Sequence, residues 1–244
     1  DWSSDVCSSD LSLAIAQDFA RLHTYASLAL AAYSDFTAIL SGWREANGAV
    51  SDADLEQVLT RRSSSGRADF TRLTSAVFAL EYELLDQYTH HASGYSATLF
   101  RRKRDGLAIW VQRGTGGSGS GFTPWFDLGA DLIADGALAG GWIPLRQAIE
   151  MVNYYLRLTA PKKADVRQVF LNSNNQPALI SVGVNGLGYT AAMQSFDVAG
   201  HSLGGYLASI VGFVFGHRVN SAYAFNNPGT LGFSLPGSDS FGEY

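Results

Sequence analysis

The stretch Phe196-Asp197-Val198-Ala199-Gly200-His201-Ser202-Leu203-Gly204-Gly205 constrains this chain more than any other. It reads as a short apolar strand, a tight turn carrying one serine, and a helix that starts at once. Gly200, Ser202 and Gly204 spell G-x-S-x-G, the pattern of a strained strand-to-helix turn that lifts a serine hydroxyl clear of a sheet. Glycine suits the flanking positions because the backbone segments approach closely there. A helix opening at Leu203 aims free N–H groups and the positive end of its dipole at any oxyanion forming beside Ser202. Downstream, Leu203, Leu207, Ile210, Val211 and Val214 recur at helical spacing.

Length and composition set the frame. A chain of 244 residues, 46% of them apolar, can build the core of one large domain. Residues 1–11, DWSSDVCSSDL, read as the in-frame translation of a sequencing-adapter oligonucleotide and are set aside from fold reasoning, which leaves 12–244 as the domain. The formal charge of −5 changes accordingly. Without Asp1, Asp5 and Asp10 the 22 acidic residues fall to 19 against 17 basic ones, a net charge of −2. That balance offers no electrostatic case for a nucleic-acid partner. The single cysteine, Cys7, lies in the same segment, so no disulfide, thiolate metal site or catalytic thiol is expected. No cofactor or metal is expected either, since H-E-x-x-H is absent and His90-His91 are adjacent rather than helically spaced. Ser12 to Tyr33 is the most apolar long segment, but Asp18, Arg21 and His23 break it, so it predicts an amphipathic helix and no transmembrane span.

The periodicities order the rest. After the first helix, short helices are expected on both sides of a polar connection around Arg61 to Gly66. Phe70 to Tyr88 predicts a helix with Phe70, Leu73, Val77, Leu80 and Leu84 on its buried face. Tyr95 to Phe100 and Leu107 to Gln112 predict an antiparallel hairpin whose tip, Arg101 to Gly106, ends in the turn pair Asp105-Gly106. Its four basic residues fit a solvated tip. Pro144 opens a helix to about Thr159, with Leu145, Ile149, Val152, Tyr155 and Leu156 inward. Ala178 to Val184 and Ala222 to Phe225 predict strands, and Gly216 is expected to stop the helix that begins at Leu203. The order predicts one α/β domain: a mainly parallel sheet, helices on both faces, and a helical N-terminal layer.

Three segments together resemble the class 3 lipases, the fungal-type lipases and their bacterial relatives. Ile109-Trp110-Val111-Gln112-Arg113-Gly114-Thr115 resembles their strand ending in R-G-T, and Val198 to Gly205 their V-x-G-H-S-L-G-G. Ala224-Phe225-Asn226-Asn227-Pro228-Gly229 resembles their T-F-N-x-P-G, while Ser93 to Phe100 and Asp127 to Asp131 resemble a bacterial branch. The resemblance covers about residues 70–235 and implies an α/β-hydrolase-like fold. It implies a serine carboxylic-ester hydrolase, a lipase, esterase or phospholipase, with Ser202 as nucleophile. Thr115 and the Leu203 backbone N–H would supply the oxyanion donors. The implied substrate is a lipid or other ester met at a lipid–water interface, and the resemblance is compatible with secretion. The segment after Thr115, with Gly116, Gly117, Gly119, Gly121, Phe122, Trp125 and Phe126, corresponds to the family's lid, and the same aromatics would equally suit a loop tucked into the core.

The chain departs from the family after the serine. The triad order should continue with an acid and then a histidine. His217 follows Ser202 too closely, and Asp239 and Glu243 are the only later carboxylates. The domain is therefore expected to be partial, incomplete toward its C-terminus, and a poor hydrolase as it stands. Two other functions compete. A hydrolase-like domain without a base could serve binding alone. Gly114, Gly116 and Gly119 also spell G-x-G-x-x-G after a strand, with Asp135 at the spacing of a ribose-binding acid. Pro124 and further glycines follow where a dinucleotide site needs a helix, which weighs against that alternative.

Overall fold

Alternation along the strands divides the molecule into two cores, one on each face of a five-stranded sheet. The computed structural model describes residues 5–46, 49–61, 70–114, 145–174 and 176–227. The sheet comprises β1 (Tyr82–His90), β2 (Tyr95–Arg102), β3 (Ala108–Gln112), β6 (Phe196–His201) and β7 (Val219–Phe225), in that spatial order. A separate antiparallel hairpin is made by β4 (Asp165–Leu171) and β5 (Pro177–Asn185). In β3, Ala108 and Trp110 face one core and Ile109 and Val111 the other, all essentially inaccessible. A continuous apolar run is what a strand covered on both faces requires.

The first core lies under α5 (Leu145–Thr159) and α6 (Leu203–Val214), which contribute Met151, Tyr154, Leu158, Leu207 and Val211. The second lies under α1 (Asp5–Ala31), α2 (Thr37–Ala46), α3 (Asp52–Leu59) and α4 (Arg72–Glu81). Helices on both faces and the helical N-terminal layer are thus present. Each fully buried Leu or Phe, such as Leu99 or Phe100, contributes about 2 kcal/mol. Buried acids are met by tyrosines. Tyr25 donates to Asp197 from the α1 side, and Tyr154 donates to Asp86 at 2.9 Å from the α5 side. These pairs fix which helix lies over which strand, because an unpaired buried carboxylate is costly.

Several expectations change. The helix predicted for Phe70 to Tyr88 stops at Glu81, and Tyr82 begins β1. A bulge between Leu84 and Asp86 breaks the alternation of this strand, so its sequence hides a period of two. The buried face of α4 also differs. Leu73, Val77 and Leu80 are exposed, while Phe78 and Ala79 point inward, because Phe78 packs against Phe70, Tyr82 and Phe100. With β1 added, the sheet is mixed: β1–β2 and β2–β3 are antiparallel, and β3–β6 and β6–β7 are parallel.

The inward face of α5 is Gln147, Met151, Asn153, Tyr154, Tyr155 and Leu158, and Leu145 is exposed. Its buried stripe carries polar atoms that counting apolar residues passes over. Strand β4 was not foreseen, and α1 starts ahead of the expected Ser12. The hairpin of β2 and β3 is as expected, with Gly106 at φ 75° in its turn. At the C-terminal end of α6 the helix stops at Val214 with Phe215 as its cap, just ahead of Gly216.

Candidate active site

The parallel half of the sheet places the carboxyl ends of β3 and β6 side by side, with Gln112 opposite Gly200. Ser202 leaves β6 at φ 57° and ψ −128° and caps the N-terminus of α6 without a side-chain hydrogen bond to that helix. A non-glycine residue in this region costs about 1–3 kcal/mol and persists only where its surroundings over-determine it. Here they do. The Ser202 N–H donates to the Phe225 carbonyl of β7 at 2.9 Å. The Ser202 carbonyl accepts the N–H groups of Gly205 at 2.9 Å and Tyr206 at 3.2 Å.

The glycines have a steric reason. A Cβ on Gly204 would sit 2.7 Å from both the Arg113 carbonyl carbon and the Gly114 nitrogen. One on Gly200 would run into the Gly204 carbonyl and lie 2.8 Å from the Gly205 nitrogen. One on Gly114 would lie 2.5 Å from the Tyr33 hydroxyl and 3.2 Å from Ser202 Cβ, and would strike the His201 carbonyl. The end of β3 therefore lies against the serine turn with only hydrogen atoms between them. Leu203, the first helical residue, has no acceptor for its N–H inside the helix, and its side chain is buried in the α5–α6 core.

Thr115 follows Gly114 directly but lies outside the described residues. So do Gly116, Gly119 and Asp135 of the dinucleotide alternative, the aromatics Phe122, Trp125 and Phe126, Asp127 to Asp131, Asp239 and Glu243. Of the expected site residues, Ser202 and Leu203 are adjacent in the turn, and the strand leading to Thr115 ends beside them.

One residue near the site has no sequence signal. Tyr33, just after α1, places its hydroxyl 3.1 Å from His201 Nδ1 and its ring edge-on to the imidazole. This contact ties the N-terminal layer to the turn, and nothing in the sequence links positions 33 and 201. His90 pairs with Ser93 at 2.9 Å, and His217 is exposed beside Arg218. None of these hydrogen bonds of His90, His201 and His217 involves Ser202. Among the described residues no group of three His, Cys, Asp or Glu side chains is placed to hold a metal ion.

Comparison with protein-family models, curated proteins and solved structures finds no match to this chain. The class defined by the described residues is thus that of a mixed α/β fold with a sharply turned serine between a parallel strand and a helix. Chemically, such a turn sets a half-buried hydroxyl at a helix N-terminus, where the first backbone N–H groups have no acceptor within the helix.

Proposed function

We propose that this chain is a serine carboxylic-ester hydrolase of the α/β-hydrolase type, acting on glycerolipid or similar esters through an acyl-enzyme at Ser202. The observation that carries the proposal is the backbone of Ser202, φ 57° and ψ −128°, held between β6, β7 and α6. Evolved folds keep such strain where function requires it. The nucleophile would attack the ester carbonyl, and the Leu203 N–H would stabilise the oxyanion. One such donor lowers the barrier by about 3 kcal/mol. Thr115 would supply the second donor, and a base acting on the Ser202 hydroxyl would complete the site.

A second function, binding without catalysis, is favoured by one observation: His201 is hydrogen-bonded to Tyr33, His90 to Ser93 and His217 to Arg218. A fluorescent fluorophosphonate distinguishes the two when labelling is followed with and without added imidazole as an external base. Labelling of the parent chain, raised by imidazole and abolished in Ser202→Ala, is the expected result. Equal labelling of both chains, or none with imidazole, would overturn the proposal. Among the described residues no helix is long and apolar enough to cross a membrane.

A further inference from the structure

We infer that the cleft between the β1–β2 turn, the start of α5 and the end of β4 binds an anionic amphiphile, a molecule with one carboxylate or phosphate on an apolar body. The cleft has a volume of about 380 Å³, within the range of small-molecule sites. One wall is apolar: Ile149 from α5 and Phe170 and Leu171 from β4. Phe170 is 40% exposed, a large aromatic surface left facing water beside a cavity.

The polar wall carries one carboxylate and one guanidinium, Glu150 and Arg146, with different surroundings. Glu150 Oε2 accepts the Tyr88 hydroxyl at 2.9 Å, and its Oε1 lies 3.9 Å from His90 Nδ1. His90 Nδ1 is also 2.9 Å from Ser93 Oγ. Asn172 Oδ1 accepts the backbone N–H groups of Asn174 and Gln176, both at 2.9 Å. Glu150 is therefore held against β1 by the Tyr88 hydroxyl, a neutral donor that leaves its charge in place. Arg146 is exposed at the cleft and forms no ion pair among the described residues. Its planar fork matches a carboxylate or phosphate in two hydrogen bonds, and Asn172 also lines the cleft. An anionic head on Arg146 with its chain along Ile149 and Phe170 satisfies both walls. A neutral head would leave the guanidinium without its strongest partner.

The cleft is distinct from the serine turn but opens at the same end of the sheet. Ala97 lies opposite Gln112, and the Arg113 N–H donates to Ser96, so the β1–β2 turn stands beyond the end of β3. Two to three strand spacings, about 10–15 Å, separate it from β6. Occupancy therefore needs no turnover.

Isothermal titration calorimetry tests this on the Ser202→Ala chain, which binds without hydrolysing. The probes are laurate and dihexanoylphosphatidylglycerol, both below their micellar concentrations, with monooctanoylglycerol as the neutral control. One equivalent of an anionic probe should bind, and Arg146→Ala should weaken it about tenfold or more, as for loss of a charge-assisted pair. Phe170→Ser should weaken it as well. Binding of laurate alone assigns the site to a free acid, and binding of the phosphatidylglycerol alone to a lipid phosphate. Either result supports the inference. Affinity unchanged in Arg146→Ala, tighter binding of the neutral control, or no binding of either anion would overturn it. Arg146 is exposed, so its replacement leaves the core untouched. Intact laurate binding without fluorophosphonate labelling would remove the hydrolase proposal and leave this site standing.

Discussion

At Ser202 a local pattern and a distant contact meet. The G-x-S-x-G spacing was enough to place a strained serine between strand and helix, because the constraint is short-range: each glycine is a neighbour that a Cβ would strike. The strain makes a prediction of sign. Ser202→Gly, free to adopt φ 57°, should be more stable than Ser202→Ala by about 1 kcal/mol. Gly204→Ala should act in the opposite direction, costing about 1–3 kcal/mol as its methyl presses on Arg113 and Gly114. Urea unfolding of the three variants checks both, and a Ser202→Gly chain no more stable than Ser202→Ala would mean that the turn stores no strain. Tyr33 marks the limit of the pattern. Its hydroxyl reaches His201 only because α1 and β6 are packed together, a fact of three dimensions without a sequence interval.

Elements were legible where their period was clean and obscure where polar atoms carried the packing. The β2–β3 hairpin and the α6 stripe from Leu203 to Val211 follow from simple alternation and helical spacing, whereas Val214, at the end of the stripe, is exposed. Strand β1 was hidden by its bulge, and α5 was turned by its buried polar residues. Asn153 shows why. It is buried on α5, and its side chain donates to the Val169 carbonyl at 3.0 Å and accepts the Val169 N–H at 2.6 Å. This amide ties β4 to α5 through a backbone-like pair, alongside the Arg157 Nε–H bond to the Asn185 carbonyl at 3.4 Å. Asn153→Ala leaves a partly buried N–H and C=O of Val169 without this partner and should cost about 1 kcal/mol. Hydrogen exchange at the Val169 amide reports it directly. Faster exchange there, with the five-stranded sheet still protected, is the expected outcome, and an unchanged rate would show that the hairpin is held by other contacts.

Across the whole molecule, tyrosines link the two cores to pH. Burial holds the Tyr95 and Tyr154 hydroxyls well above the usual phenol range and pushes Tyr82 up to about 12, while Tyr25 and Tyr88 are raised by burial and by hydrogen bonds to Asp197 and Glu150. A raised folded value means that the neutral phenol is favoured in the native state. The corresponding stability is present in full below about pH 10, where unfolded tyrosine titrates, and is lost as pH rises toward 12. Absorbance at 295 nm and far-UV circular dichroism should therefore change together over that interval. Ionisation of all eleven tyrosines near pH 10 with the fold intact would contradict the buried pairs. Composition and period were sufficient for a layered α/β chain and for the serine turn at its centre, since both depend on interactions between residues close in sequence. The mixed sheet, the buried acid–tyrosine pairs, the Tyr33–His201 contact and the Arg146 cleft depend on segments far apart in the chain, and packing alone brings them within hydrogen-bonding reach.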